Sequence, residues 1–343
     1  MSVAAESEIG VSPYIAECIA EERIPFIDVS GYLSGDPEAT RQFVTDLRAI
    51  QESLGFYCIV NHGVDQQVID TSFDRIADLF ALPDETKMKY RVDFHHQGFI
   101  PNKSLILRWS KIAKNEKKDL NEAWAIMRER TPDDPKVKAN IRHRNLNQWP
   151  EELPAFRTAL LEYQSRMADL AFSMLPAYAQ ALELPADYFN DKFSNAEYYI
   201  RTAWYPPVDA EEGQFSLSPH SDHSSMTYLP LMDVPGLQVM APSGKWMEIE
   251  PRRGAIVVNT GEFFNRWTNG RFIATPHRVV PPKKDRYALT FFYNCNDETV
   301  ADPFPSCIAP GEEPKYEPMS FHDFFVTYMD GNYIYRTAEM DED

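Results

Sequence analysis

A chain of 343 residues that is 43% hydrophobic, 13% aromatic and 25% charged has the apolar mass for a large core, which excludes disorder beyond the termini. Its formal charge of -18 argues against nucleic acid or an anionic membrane surface as partner, because both are held by clustered Lys and Arg. Cys18, Cys58, Cys295 and Cys307 form neither a disulfide framework nor a zinc spacing, so a reducing, cytoplasmic setting is expected.

The first 23 residues are acidic and lack a basic segment followed by an apolar one, so a loose N-terminal segment without a signal peptide is expected over 1–23. No apolar run reaches the length of a membrane span. A short strand over 24–29 opens the folded part. Asp36 then caps a helix with Pro37 in its first turn; Phe43, Leu47, Ile50 and Leu54 recur on one face, and Gly55 ends it. Phe56–Val60 reads as an apolar strand, and Gln66–Phe80 as a second amphipathic helix that stops before Pro83. Residues 84–150 are rich in Pro, Gly and Asn and read as loops and short strands. The basic run Lys111–Lys118 reads as a solvated face.

A long helix follows, with Phe156, Leu160, Tyr163, Met167, Leu170 and Met174 as its core stripe and a kink or break expected at Pro176. From residue 195 the period changes to two. Strands are expected near 197–204, 226–231, 237–240, 246–249, 255–259, 277–280 and 286–293, separated by turns, and Met319–Arg336 reads as a closing helix. Many short strands in series indicate a sandwich or barrel, with a jelly roll fitting best. The expected organisation is one α+β domain over 24–343 with a mainly β core. It comprises an N-terminal α/β part (24–190), a jelly-roll core (195–300) and a C-terminal lid helix (319–338).

The chemistry-bearing residues fall in the strand-rich half. Ser218-Pro-His-Ser-Asp-His-Ser-Ser225 places His220 and Asp222 two residues apart, on one face of the segment if it is extended, with His223 on the other face. His277 lies 55 positions beyond Asp222, and Arg286 nine positions beyond His277 at the head of an apolar strand. Two imidazoles and one carboxylate on one side of a metal leave positions open, which suits non-haem Fe(II) that activates dioxygen. Zinc would also accept these ligands. A zinc hydrolase, however, has no use for a buried arginine, whereas a guanidinium can hold the far carboxylate of a dicarboxylic cosubstrate. His62, His95, His96, His143 and His322 have no partner at ligand spacing.

These residues resemble the isopenicillin N synthase-like group of Fe(II)- and 2-oxoglutarate-dependent dioxygenases over about Ile24 to Phe325. The group's His-x-Asp, His and Arg-x-Ser pattern matches at His220, Asp222, His277 and Arg286. Gly55-Phe-Tyr, Asn61-His-Gly63, Asp119-Leu-Asn-Glu122, Asn147-Gln-Trp-Pro150, Tyr205-Pro-Pro207 and Thr275-Pro-His-Arg-Val279 follow in the same order. The resemblance implies a double-stranded β-helix, with His220, Asp222 and His277 as ligands to Fe(II). It also implies 2-oxoglutarate held by Arg286 with help from Tyr205, and dioxygen as oxidant. The substrate implied is a small molecule, in specialised metabolism, acted on by a monomer or weak homodimer. Two positions depart from the pattern: Ala288 stands where the group has serine, and Ala203 where it often has asparagine. Thr290 shares the face of Ala288 but lies about 6.8 Å further along the strand. An Fe(II) oxidase of the same fold without 2-oxoglutarate, and a jelly-roll binding protein with a relic metal site, are the competing expectations. Phe94, Phe99, Tyr198, Phe292 and Phe324 are the candidate substrate-pocket walls.

Overall fold

The computed structural model describes residues 9–104 and 117–332. The first element is a helix, α1 (Pro13–Ala20), capped by Ser12 and burying Ile15 and Cys18. The N-terminal segment is therefore not loose from residue 13 onward: two buried side chains and a capped first turn fix it. The chain continues through β1 (Phe26–Asp28), α2 (Ser30–Leu33), α3 (Pro37–Ser53), β2 (Phe56–Val60), α4 (Gln66–Phe80), α5 (Asp84–Met88), β3 (Gly98–Ile100), β4 (Glu122–Met127) and α6 (Pro135–Lys138). Asp36 and Asp65 cap α3 and α4 by accepting from the backbone N–H groups of Ala39 and Gln67. The Asp36 cap and the apolar stripes read from the sequence thus coincide with the observed helices, and Asp65 adds a cap to α4.

The long helix α7 (Pro154–Ala181) runs through Pro176 without a break. Met174, Leu175, Ala177, Tyr178 and Ala179 are all fully buried around the proline, and this packing outweighs the lost backbone bond. The remaining elements are β5 (Glu197–Tyr205), β6 (Leu217–His220), β7 (Met226–Pro230), β8 (Leu237–Met240), β9 (Trp246–Glu248), β10 (Ile256–Thr260), α8 (Glu262–Trp267), β11 (His277–Val279), β12 (Arg286–Asn294), β13 (Val300–Ala301), β14 (Met319–Ser320) and α9 (Phe321–Asn332). Residues 333–338 of the expected closing helix, and most of the Lys111–Lys118 run, lie outside the described residues; Lys117 pairs with Glu211.

The strands form an eight-stranded sheet in the order β1-β2-β10-β7-β12-β5-β4-β3 and a four-stranded sheet in the order β6-β11-β8-β9. Every pairing is antiparallel except β1 with β2. This is the jelly-roll arrangement, with α3 and α4 each packed on α7. Alternation along β12 divides its two faces. Leu289 and Phe291 belong to the helix side, where Tyr163 of α7 donates to the Leu289 carbonyl at 2.9 Å. Arg286, Ala288, Thr290 and Phe292 instead line a cleft walled by both sheets. Both faces being buried explains the nearly continuous apolar reading of this strand.

Candidate active site

Two strands and a turn assemble the histidines and the aspartate. His220 ends β6 and His277 begins β11, and the two are direct cross-strand partners. Their ring centroids are 4.3 Å apart. The strand stops at His220, so Asp222 reaches the same point from a turn and not by strand alternation. That turn is held by the N–H of Glu262 donating to the Asp222 carbonyl at 2.7 Å and by Gly261 donating to Ser225. Gly261 is required at this crossing, because a Cβ there would lie 2.2 Å from the Ser224 carbonyl oxygen. Gly55, at φ +68°, performs a similar service for the approach to His277: a Cβ there would meet the Thr275 hydroxyl at 2.4 Å.

The Asp222 Oδ1 lies 3.7 Å from His220 Nε2 and 3.5 Å from His277 Nε2. All three side chains are buried, and their ligand atoms fall within 4.8 Å of one another. Nδ1 of His220 donates to the Ser218 carbonyl at 2.8 Å and Nδ1 of His277 to the Thr275 carbonyl at 3.2 Å. These bonds fix the tautomer that presents each Nε2 lone pair to the centre. Asn259 donates to the other carboxylate oxygen of Asp222 at 2.8 Å. Burial alone would push the Asp222 carboxyl up, but His277, His220 and Asn259 hold it well below the usual range. Burial pushes His220 down to about 3, with the neighbouring His277 adding to the effect. Burial also opposes charge on His277, yet the adjacent Asp222 raises it. An ionised carboxylate and two oriented imidazoles around one centre are the donor set a divalent cation takes.

Arg286 opens β12 opposite Tyr205, its cross-strand partner, with the guanidinium 5.1 Å from the tyrosine ring centre. It is 5% exposed, and Nη1 is buried with no hydrogen-bond partner among the described residues. A buried guanidinium with an unmet donor fits the carboxylate of a bound anion. Both residues line the cleft that holds the His–Asp–His cluster, about 780 Å³ counting the part open to solvent. Ala288 and Ala203 face each other directly across the same strand pair, so neither brings a hydroxyl or amide to this end. Thr290 also lines the cleft.

Of the five aromatic residues expected as pocket walls, Phe292 alone lines this cleft. Phe94 is 55% exposed, covered on one side by the Arg142 guanidinium. Phe99 packs on Trp124, Tyr198 on Phe291, and Phe324 on Phe263 and Tyr328. Sequence reasoning missed Asn259, Arg201 and Tyr328. Asn259 was signalled by a lone amide inside Ile256-Val-Val-Asn-Thr260. Arg201 lines the cleft and donates to Asn121 at 2.7 Å, and Tyr328 of α9 donates to the Ser221 carbonyl at 2.8 Å. His223 does not point away from the site. The turn after β6 brings it into the cleft lining, where burial pushes its ring down to about 4.

With fold and site in place, the comparisons with known proteins agree. Residues 24–152 match the model of the non-haem dioxygenase in morphine synthesis N-terminal family, and residues 190–294 match the 2OG-Fe(II) oxygenase superfamily. The 2-oxoglutarate-Fe(II) type oxidoreductase hxnY of Emericella nidulans is 31% identical over 307 residues, covering 87% of each chain. The 2-oxoglutarate-dependent dioxygenase 11 of Oryza sativa is 29% identical, covering 93% of this chain and 85% of its own. Among solved structures, a full-length Neurospora crassa protein in complex with alpha-KG and thymine superposes with a TM-score of 0.76 at 26% identity, over 89% of this chain and 95% of that one. The chain belongs to the 2-oxoglutarate- and Fe(II)-dependent oxygenase superfamily. It is an oxidoreductase whose cofactor set is Fe(II), 2-oxoglutarate and dioxygen. Among the described residues no helix is long and apolar enough to cross a membrane.

Proposed function

We propose that this oxygenase oxidises an unactivated C–H bond of a small-molecule metabolite, by hydroxylation, desaturation or ring formation, and releases succinate and CO2. His220, Asp222 and His277 hold the iron; Arg286 grips the far carboxylate of 2-oxoglutarate, with Tyr205 beside it. The observation that carries this reading is the buried Nη1 of Arg286, unmet among the described residues, in the same cleft as a preorganised His–Asp–His cluster. Support for a small-molecule substrate comes from the Neurospora crassa relative solved in complex with thymine. The enzyme works as a monomer or weak homodimer in the cytoplasm.

When bound, Fe(II) and 2-oxoglutarate supply the activation of dioxygen, the oxidative decarboxylation providing two of the electrons that dioxygen consumes. The protein's part is positional. Asn259 fixes the Asp222 carboxylate, the Ser218 and Thr275 carbonyls fix the two rings, and Arg286 sets the orientation of the cosubstrate by a charge-assisted contact. Leu229, Leu237, Val257, Val279 and Phe292 exclude water, so that the oxidant meets the substrate C–H bond before solvent.

The test is to add Fe(II) and 2-oxoglutarate without oxygen, look for the visible metal-to-ligand charge-transfer band, and then admit air. The expected result is the band followed by stoichiometric succinate. Substrate oxidation with no succinate would assign the oxidase chemistry instead.

A further inference from the structure

We propose that His223 orients the substrate, and that the substrate is a planar compound carrying a hydroxyl, carbonyl or ring N–H on its edge. This rests on the iron and 2-oxoglutarate reading above and names the substrate class of that same site. His223 is 3% exposed, and neither Nδ1 nor Nε2 has a hydrogen-bond partner among the described residues. The histidines around it are accounted for: His220, His277 and His143 each bond a backbone carbonyl through Nδ1. Buried ring nitrogens left unmet are uncommon, and here they point to a partner that the described residues do not provide.

The ring is also held in a fixed plane. It lies 4.7 Å from Phe292 and is stacked at 5.9 Å on Tyr199, while Phe325 and Tyr328 meet it edge-on at 5.0 and 5.3 Å. A phenylalanine would satisfy all four of these contacts, so packing alone does not call for imidazole. What imidazole adds is one donor and one acceptor in an aromatic wall of the cleft. A flat molecule lies against Phe292 and Tyr328 and directs its polar edge at His223.

Position in the sheet separates this group from cosubstrate binding. Arg286, Ala288, Thr290 and Phe292 step along one face of β12, and six residues of strand span about 20 Å. His223 sits at the Phe292 end, one residue after Asp222, whereas Arg286 opens the strand at the other end. The metal cluster lies in the same cleft as both residues.

The probes are 2-naphthol and naphthalene, which differ by one hydroxyl, titrated without oxygen into the protein loaded with Fe(II) and 2-oxoglutarate. Binding is read from the shift of the visible band. The unaltered protein is expected to prefer 2-naphthol by about tenfold, the weight of one net hydrogen bond. His223→Phe should bring the two affinities within about twofold, and His223→Asn should keep part of the preference. If His223→Phe fails to form the band, His223→Leu is read in its place. Equal affinities in the unaltered protein, no binding of either probe, or an unchanged preference in the Phe or Leu variant would each overturn the inference. Absence of the band from the unaltered protein is a different failure, which overturns the iron and 2-oxoglutarate reading together with what rests on it.

Discussion

Replacing Ala288 by serine should tighten 2-oxoglutarate binding. Ala288 is 3% exposed, lines the cleft, and follows Arg286 by two residues on the same face of β12. Directly across the sheet stands Ala203, so neither residue 288 nor its cross-strand partner brings a hydroxyl to the cosubstrate carboxylate proposed at Arg286. Thr290 is the nearest alternative on β12, a further step of about 6.8 Å away. A new hydroxyl donating to a charged carboxylate contributes roughly 1.5 to 3 kcal/mol, which corresponds to about ten- to 150-fold in dissociation constant. Without cosubstrate the same hydroxyl sits in a buried cleft, and Ala288→Ser should cost about 1 kcal/mol of stability. The assay is anaerobic titration of the visible band with 2-oxoglutarate, with the melting temperature of the cosubstrate-free protein measured beside it. A dissociation constant within twofold of the unaltered protein would refute the placement of the carboxylate between Arg286 and residue 288.

Arg286→Gln should weaken 2-oxoglutarate binding by about a hundredfold or more, because the charge-assisted contact is lost in a buried place; the same titration reads it. His220→Ala, Asp222→Ala and His277→Ala should each lose iron on desalting, measured as metal content, and tight retention by all three would remove them as ligands. Asn259→Ala frees one oxygen of Asp222 and should lower iron affinity about 10- to 100-fold without unfolding the protein, checked by chelator competition alongside circular dichroism. Asp119 supplies a pH test. Burial pushes its carboxyl up from 3.8 to about 7, despite hydrogen bonds from Ser218. Between these values the folded protein holds a proton that the unfolded chain has released, so this residue's contribution to stability falls as pH rises through that window. Asp119→Asn keeps a neutral acceptor for Ser218 and should gain on the unaltered protein by up to about 4 kcal/mol between pH 4 and pH 8. Denaturation curves whose separation stays constant across that range would rule the effect out.

The helices and strands were readable wherever local chemistry decides them. Asp36, Pro37 and Gly55 bracket α3, and period-two alternation marks β5, because caps and periodicity act within a few residues. Burial overrode the local signal for a break at Pro176 inside α7, whereas α1, with Ser12 as cap and Pro13 in its first turn, carried local signals that went unread. The candidate ligands were legible as residue types at family spacing, but the reason given for their convergence was incomplete. An extended segment would have turned His223 away, whereas the turn closed by Gly261 and Glu262 brings it into the cleft.

By itself, the sequence determined the residue types of the site, the jelly-roll class and where most core strands lie along the chain, since ligand chemistry, apolar period and turn residues are properties of short stretches of chain. Only the tertiary structure decided which side chains share the cleft. It left one of five expected aromatic walls in place, set Ala203 against Ala288, placed Asn259 on Asp222, and buried His223 with both ring nitrogens unmet among the described residues. Those facts depend on cross-strand register and on the path of one turn, which are fixed by contacts between residues tens to hundreds of positions apart.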